Sequence, residues 1–198
     1  MQQDPALSPP RTSARRLVAV PSGSAGRSEV ESFIRRVYAD HFAADVRSFA
    51  PQLVALLDER DLVVAAVGWR DAATETLFLE RYLDAPVQSR LGLPTRTGIV
   101  EVGHFAAGRP GEGRRLISHM VPHLAALGAR WVVSTVTEEL HRLFLHLGIT
   151  PLVLGTADPA LLGTDALHWG RYYDHRPLVM AGQVHAALRI LRSRRAIA

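Results

Sequence analysis

Three features of the sequence predict an α/β fold built on one mixed sheet. A run with helical periodicity over 29–45 precedes an apolar hairpin over 52–72. Strand, helix, strand, helix and strand patterns then alternate over 98–155, and a glycine-rich turn joins the first of those strands to its helix. The hairpin supplies antiparallel strands, and short strand–helix–strand connections call for right-handed crossovers onto the same sheet.

The elements follow in order. The opening MQQDPALSPPRTSARR has no apolar core followed by a small-residue cleavage site, so 1–15 read as a disordered tail rather than a secretion signal. RLVAV (16–20) is a short strand ended by the turn residues PSGSAGRS. Ser28 and Glu31 have capping-box spacing for the helix over 29–45, whose Val30, Phe33, Ile34, Val37, Tyr38 and Phe42 form one stripe. QLVALLD and LVVAAVGWRDA are apolar enough to be buried on both faces, and TLFLE (76–80) is an extension of that hairpin. Pro86 and Pro94 break 80–94 into a short helix and loop. Next come a strand at 98–107, a helix at about 111–127 ending at Gly128, a strand at 130–136, a helix at 138–148 and a strand at 149–155. A long connection over 157–177 leads to a last strand at 178–182. Residues 16–182 thus form one domain, with 183–198 a basic amphipathic helix packed on it or appended to it.

Composition narrows the chemistry. The 198-residue chain contains no cysteine, which excludes disulfides, thiolate catalysis and cysteine-ligated zinc and favours the cytoplasm. All 23 basic residues are arginine, so Schiff-base chemistry and a lysine-bearing phosphate loop are excluded as well. The net charge of +4 is modest and the arginines are scattered, so nucleic acid is not an expected partner. No apolar run is long enough to span a bilayer, leaving peripheral contact through the Val184, Ala187, Leu188 and Leu191 stripe of the last helix as the expected limit of membrane activity. The histidines have no metal-ligand spacing, so no metal site is expected.

Several residues are candidates for chemistry. In GRPGEGRR (108–115) two glycines, a helix start and Arg109, Arg114 and Arg115 would suit a diphosphate, although Glu112 satisfies the same helix dipole. A structural turn is the alternative. Glu101, inside an apolar strand, is a group whose pKa burial would raise and which could accept a proton from an amine; the alternative is an ion pair with an arginine. By strand alternation His104 faces the other way and is a structural histidine unless a bulge intervenes. Trp169, Tyr172 and Tyr173 would share one helix face, either covering the core or walling a pocket.

Gly111-Glu112-Gly113-Arg114-Arg115-Leu116 resembles the G-x-G-x-x-L of the GNAT acyltransferase superfamily, whose backbone amides hold acyl-CoA diphosphate. Gly108 stands where that superfamily expects Arg or Gln, with Arg109 beside it. FLHLGI (144–149) is similar to a second GNAT phrase, but Phe144 replaces its proton-donating tyrosine. LFLERYLDAPVQ, IVEVGHFAA, WVVSTVTEELHRLFLHLGITPLVLGTADPALL and WGRYYDHRPLVMAG resemble the thermostable hemolysin family, a GNAT-related group named for a lytic phenotype. A weaker likeness to acyl-homoserine-lactone synthases lies in Arg70 of G-x-R and in Glu101.

These resemblances imply a GNAT-like fold that moves an acyl group from acyl-CoA, or from the phosphopantetheine of an acyl carrier protein, to a small amine. They assign Ala106, Ala107, Arg109, Gly111, Gly113 and Arg114 to the donor. Arg70, Glu80, Tyr82, Asp84 and Trp169 fall to the acceptor, Glu101 to the base, and Tyr172 or Tyr173 to the acid that Phe144 cannot be. The alternative is a membrane-active protein, and a noncatalytic partner in a biosynthetic assembly is a third reading.

Overall fold

The computed structural model describes residues 15–197, so all but Arg15 of the expected tail lies outside the described residues. Seven strands form one sheet: β1 (Arg16–Pro21), β2 (Gln52–Leu57), β3 (Val63–Asp71), β4 (Ile99–Ala107), β5 (Trp131–Val136), β6 (Leu152–Thr156) and β7 (Leu178–Gln183). Their order is β1-β2-β3-β4-β5-β7-β6. Every neighbouring pair is antiparallel except β4 with β5. The crossover from β4 to β5 is therefore the parallel unit that the strand and helix alternation predicts. β7 inserts between β5 and β6, leaving β6 at an edge with Leu152 and Val153 about half exposed.

The hairpin is buried on both faces, and its side-chain alternation sorts two layers. Leu53, Ala55 and Ala66 face α1 (Arg27–Phe42), whereas Val54, Leu56, Ala65 and Val67 face α3 (Glu112–Ala126). On α3 the fully or nearly fully buried Leu116, Met120 and Leu124 recur at helical spacing, each worth about 1.5–3 kcal/mol of transfer free energy. Two shorter helices, α2 (Val87–Arg90) and α4 (Glu138–His146), lie in the connections.

Four expectations change. The first helix is capped by Gly26 in a left-handed conformation and starts at Arg27; Glu31 takes no capping role but pairs with Arg27 at 2.8 Å. TLFLE is no extension of the hairpin. Residues Phe78–Tyr82 form a 3₁₀ turn, because the amides of Phe78 and Leu79 are held by a side chain of β4 rather than by a ladder. Trp169, Tyr172 and Tyr173 do not lie on one helix, since Gly170 separates two 3₁₀ segments, Pro159–Trp169 and Tyr172–His175. The last helix, α5 (Val184–Ile197), buries Val184 and Leu191 beside residues of α3, so both ends of its expected membrane stripe are spent inside the protein, with Ala187 and Leu188 between them partly buried.

Candidate active site

β4 and β5 are in register only from Ile99 against Trp131 to Glu101 against Val133. Beyond that point they separate, and the Ser134 hydroxyl donates to the Val102 carbonyl at 2.6 Å at the apex of the opening. A cleft of about 580 Å³ fills the gap. Its mouth lies at the turn between β4 and α3; its inner end is walled by α1, the 3₁₀ turn Phe78–Tyr82 and the segment around Trp169–Tyr173.

At the mouth, Gly111 caps α3 with a φ of 85°, a conformation glycine adopts without strain. The amides of Gly108, Glu112 and Arg115 are tied to Val64, Arg109 and Gly111 carbonyls. Those of Gly113 and Arg114 have no acceptor among the described residues, so the cradle expected over 106–115 narrows to two amides at the helix start. Arg109, Gly111, Gly113 and Arg114 line the cleft, and neither arginine has a carboxylate partner among the described residues.

Glu112, the acid that should oppose an anion here, turns away. It is 2% exposed and is held by Arg15 at 2.9 Å and Arg115 at 3.0 Å. Burial pushes its carboxyl up, but the Arg15 hydrogen bond and the two arginine charges outweigh that and keep it below the usual range. The third arginine of the motif, Arg115, is thereby spent on neutralising Glu112. Ala107 faces the cleft, but Ala106 points into the α1 core at 1% exposure, so its side chain is no part of the donor wall.

At the inner end, Glu101 is 6% exposed and accepts from the amides of Phe78 at 2.8 Å and Leu79 at 2.9 Å. Arg70 Nε lies 3.3 Å from one of its oxygens and Nη1 lies 3.2 Å from Glu75. Burial raises the Glu101 pKa, and the two amides and Arg70 only partly offset it. The ion pair expected as the alternative reading is present, and burial raises the carboxyl as expected. Oε1 keeps a lone pair beyond the Leu79 amide it accepts, whereas Oε2 is shared between the Phe78 amide and Arg70.

His104 also lines this cleft, against the expectation from alternation. The β3–β4 register shifts between Ala66 and Gly68, and His104 takes a φ of 54°, so the bulge moves it to the Glu101 side. Its Nε2 is 3.1 Å from the Ser48 carbonyl while Nδ1 is buried without a partner among the described residues, and burial lowers its pKa to about 4. The imidazole is therefore neutral at pH 7, with Nε2 as the donor to Ser48.

The acceptor candidates divide. Arg70, Tyr82 and Trp169 line the cleft. Glu80 does not: its oxygens take the Leu77 and Val87 amides, both at 2.9 Å, and the Arg96 fork at 2.6 and 2.9 Å. Burial opposes its charge, but Arg96 and the amides prevail and hold its pKa at about 2, which makes it a structural anchor. Asp84 lies off the cleft as well, 80% exposed and 3.3 Å from Arg90. The Tyr172 hydroxyl donates to the Thr135 carbonyl at 3.2 Å, and the Tyr173 hydroxyl sits 2.6 Å from that of Tyr82. Sequence spacing missed Ser134 and the Tyr82–Tyr173 pair; neither has a local pattern, because each depends on a partner distant in the chain. Among the described residues no three His, Asp or Glu side chains are grouped to hold a metal ion.

The splayed parallel pair with a glycine turn entering a helix defines the GNAT-like acyltransferase fold. Similar solved structures include the CoA-dependent acyl-homoserine lactone synthase BjaI, with SAM and isopentyl-CoA, at TM-score 0.64 and 15% identity, covering 91% of this chain and 89% of that one. The AHL synthase LasI matches at TM-score 0.61 and 11% identity over 90% and 94% of the two chains. A putative N-acetyltransferase from Lactobacillus plantarum matches at TM-score 0.53 and 15% identity over 86% and 99%. At such identities the likeness is one of fold. No curated protein matches the sequence. The model of the thermostable hemolysin family matches residues 20–188, and the chain belongs to that family.

Proposed function

We propose that this protein is an acyltransferase that moves an acyl group from a thioester donor, acyl-CoA or the phosphopantetheine of an acyl carrier protein, to a small amine. The observation that carries the reading is the opening between β4 and β5, with two amides and two arginines at its mouth that have no acceptor or carboxylate partner among the described residues, and a buried carboxylate at its inner end. The donor's diphosphate would take the Gly113 and Arg114 amides and the charges of Arg109 and Arg114. The pantetheine arm would run along the unpaired edge of β4 beyond Val102, bringing the thioester toward Glu101.

Glu101 accepts the proton of the attacking amine, the C–N bond forms as the C–S bond breaks, and Tyr173 gives its proton to the departing sulfur. Tyr172 is the weaker acid candidate because its proton is committed to the Thr135 carbonyl. Tyr82 and Trp169 wall the acceptor's end, and Arg70 fixes Glu101. Within this reading the site of action is the cytoplasm, where acyl thioesters are available. The membrane-active alternative is weakened by the burial of Val184 and Leu191, and no described helix is long and apolar enough to cross a membrane.

Calorimetric titration with CoA and acyl-CoA tests the donor site. Binding is expected, weakened about tenfold or more in Arg109→Ala at low salt, as loss of a charge-assisted contact dictates. Equal heats for wild type and variant, or none for either, would remove the cradle.

A further inference from the structure

The chain has four tyrosines, and all four, Tyr38, Tyr82, Tyr172 and Tyr173, line the one cleft. Their hydroxyls are not equivalent. Tyr172 donates to the Thr135 carbonyl, whereas Tyr82 and Tyr173 face each other at 2.6 Å, a short distance even for two hydroxyls. They arrive from separate elements: Tyr82 ends the 3₁₀ turn whose first amides are held by Glu101, and Tyr173 lies 91 residues further along, beyond Gly170. The Tyr82 ring is fixed, 7% exposed and edge-on to Phe78 at 5.9 Å. Tyr173 is the less buried of the two.

We propose that Tyr82 is a positioning residue for acyl transfer, whose hydroxyl donates to the Tyr173 oxygen, aims the Tyr173 proton into the cleft and stabilises the phenolate left once that proton has gone to the departing sulfur. This rests on the acyltransferase reading. The step balances: the amine proton goes to Glu101, the thiolate takes the Tyr173 proton, and solvent returns one proton from Glu101 to the phenolate. Two hydroxyls can form only one hydrogen bond between them at a time, so a Tyr82 donor leaves Tyr173 O–H free for a substrate atom.

The charged and titratable groups acting on the pair are Arg81, Glu101 and Tyr172. Burial raises all four phenols; for Tyr173 the Tyr82 hydroxyl and then Arg81 work in the opposite direction, whereas the hydrogen bond to Tyr173 raises Tyr82 further.

Phenolate absorbance during alkaline titration of the intact protein reads this directly, since every tyrosine signal comes from the cleft. Tyr173→Phe is expected to remove the first transition, Tyr82→Phe to move it to higher pH, and Tyr38→Phe to leave it in place. With acyl-CoA and an amine acceptor, Tyr82→Phe should lower kcat about tenfold, leave KM for the donor within about twofold and move the alkaline limb of the rate profile in the same sense. A first transition that stays put in Tyr82→Phe, with only the melting temperature lowered, would reduce Tyr82 to packing and overturn the inference alone. Wild-type protein that releases no thiol from any acyl-CoA would overturn the acyltransferase reading and the catalytic part of the inference with it.

Discussion

The two ends of the cleft handle charge in opposite ways. At the mouth, Arg109 and Arg114 are exposed and have no carboxylate within ion-pair distance among the described residues, while Glu112, the acid of the glycine turn itself, is turned inward and neutralised. At the inner end, Arg70 and Glu101 are paired with each other and largely buried among aromatic rings. Free, solvated cations suit a ligand that brings its own negative charge. A buried pair whose carboxylate is raised by burial suits proton transfer to and from a ligand that is neutral when it reacts. The same residue types serve binding or chemistry according to whether the fold supplies their counter-ions.

Substitutions that touch one end and spare the other break that comparison most sharply. Glu101→Gln should cut the rate of acyl transfer by about 10²–10⁴ while CoA affinity stays within about twofold. Thiol release is a clean assay for this, because the chain has no cysteine to react with the reagent. A fall in CoA affinity as large as the fall in rate would mean that the two ends are not separate.

Gly170→Ala attacks the inner wall through the backbone. Gly170 has φ 52° and ψ −122°, and a Cβ there would lie 2.2 Å from the Phe42 carbonyl oxygen at the end of α1. No L side chain fits, and a loss of about 3–5 kcal/mol is expected, read as a lower denaturant midpoint with loss of near-ultraviolet aromatic signal. CoA affinity of the folded fraction should persist.

His104 sharpens the account through pH. Its folded pKa of about 4 lies below the unfolded value of 6.5, so the unfolded chain binds the proton first as pH falls. The stability tied to the neutral ring is fully present above pH 6.5 and drains away between there and pH 4, about 3 kcal/mol in all. Asn tolerates positive φ and can donate to the Ser48 carbonyl, so His104→Asn should flatten the acid limb of a stability–pH curve. An unchanged limb would show that other groups cause it.

Much of the fold was legible in the sequence, and less of the site. Periodicity located α1, α3 and the hairpin because their apolar residues, such as Leu116, Met120 and Leu124, report local geometry. The glycine turn was readable because Gly111 needs a positive φ at a helix start. What failed depended on distant partners. Glu112 looked like an anion-repelling group until Arg15, 97 residues away, turned it inward. Glu80 looked like an acceptor ligand until Arg96 and two amides consumed it. Alternation misassigned His104 because a single left-handed residue reverses the faces of a strand.

The central claim is that the opening between β4 and β5 receives a thioester donor with its diphosphate on the α3 start. A crystal structure with acyl-CoA tests it most directly. The account predicts phosphate oxygens about 2.7–3.2 Å from the Gly113 and Arg114 nitrogens, and the thioester between β4 and Ser134, facing Glu101. Acyl-CoA bound elsewhere, with those two amides facing only water, would contradict it.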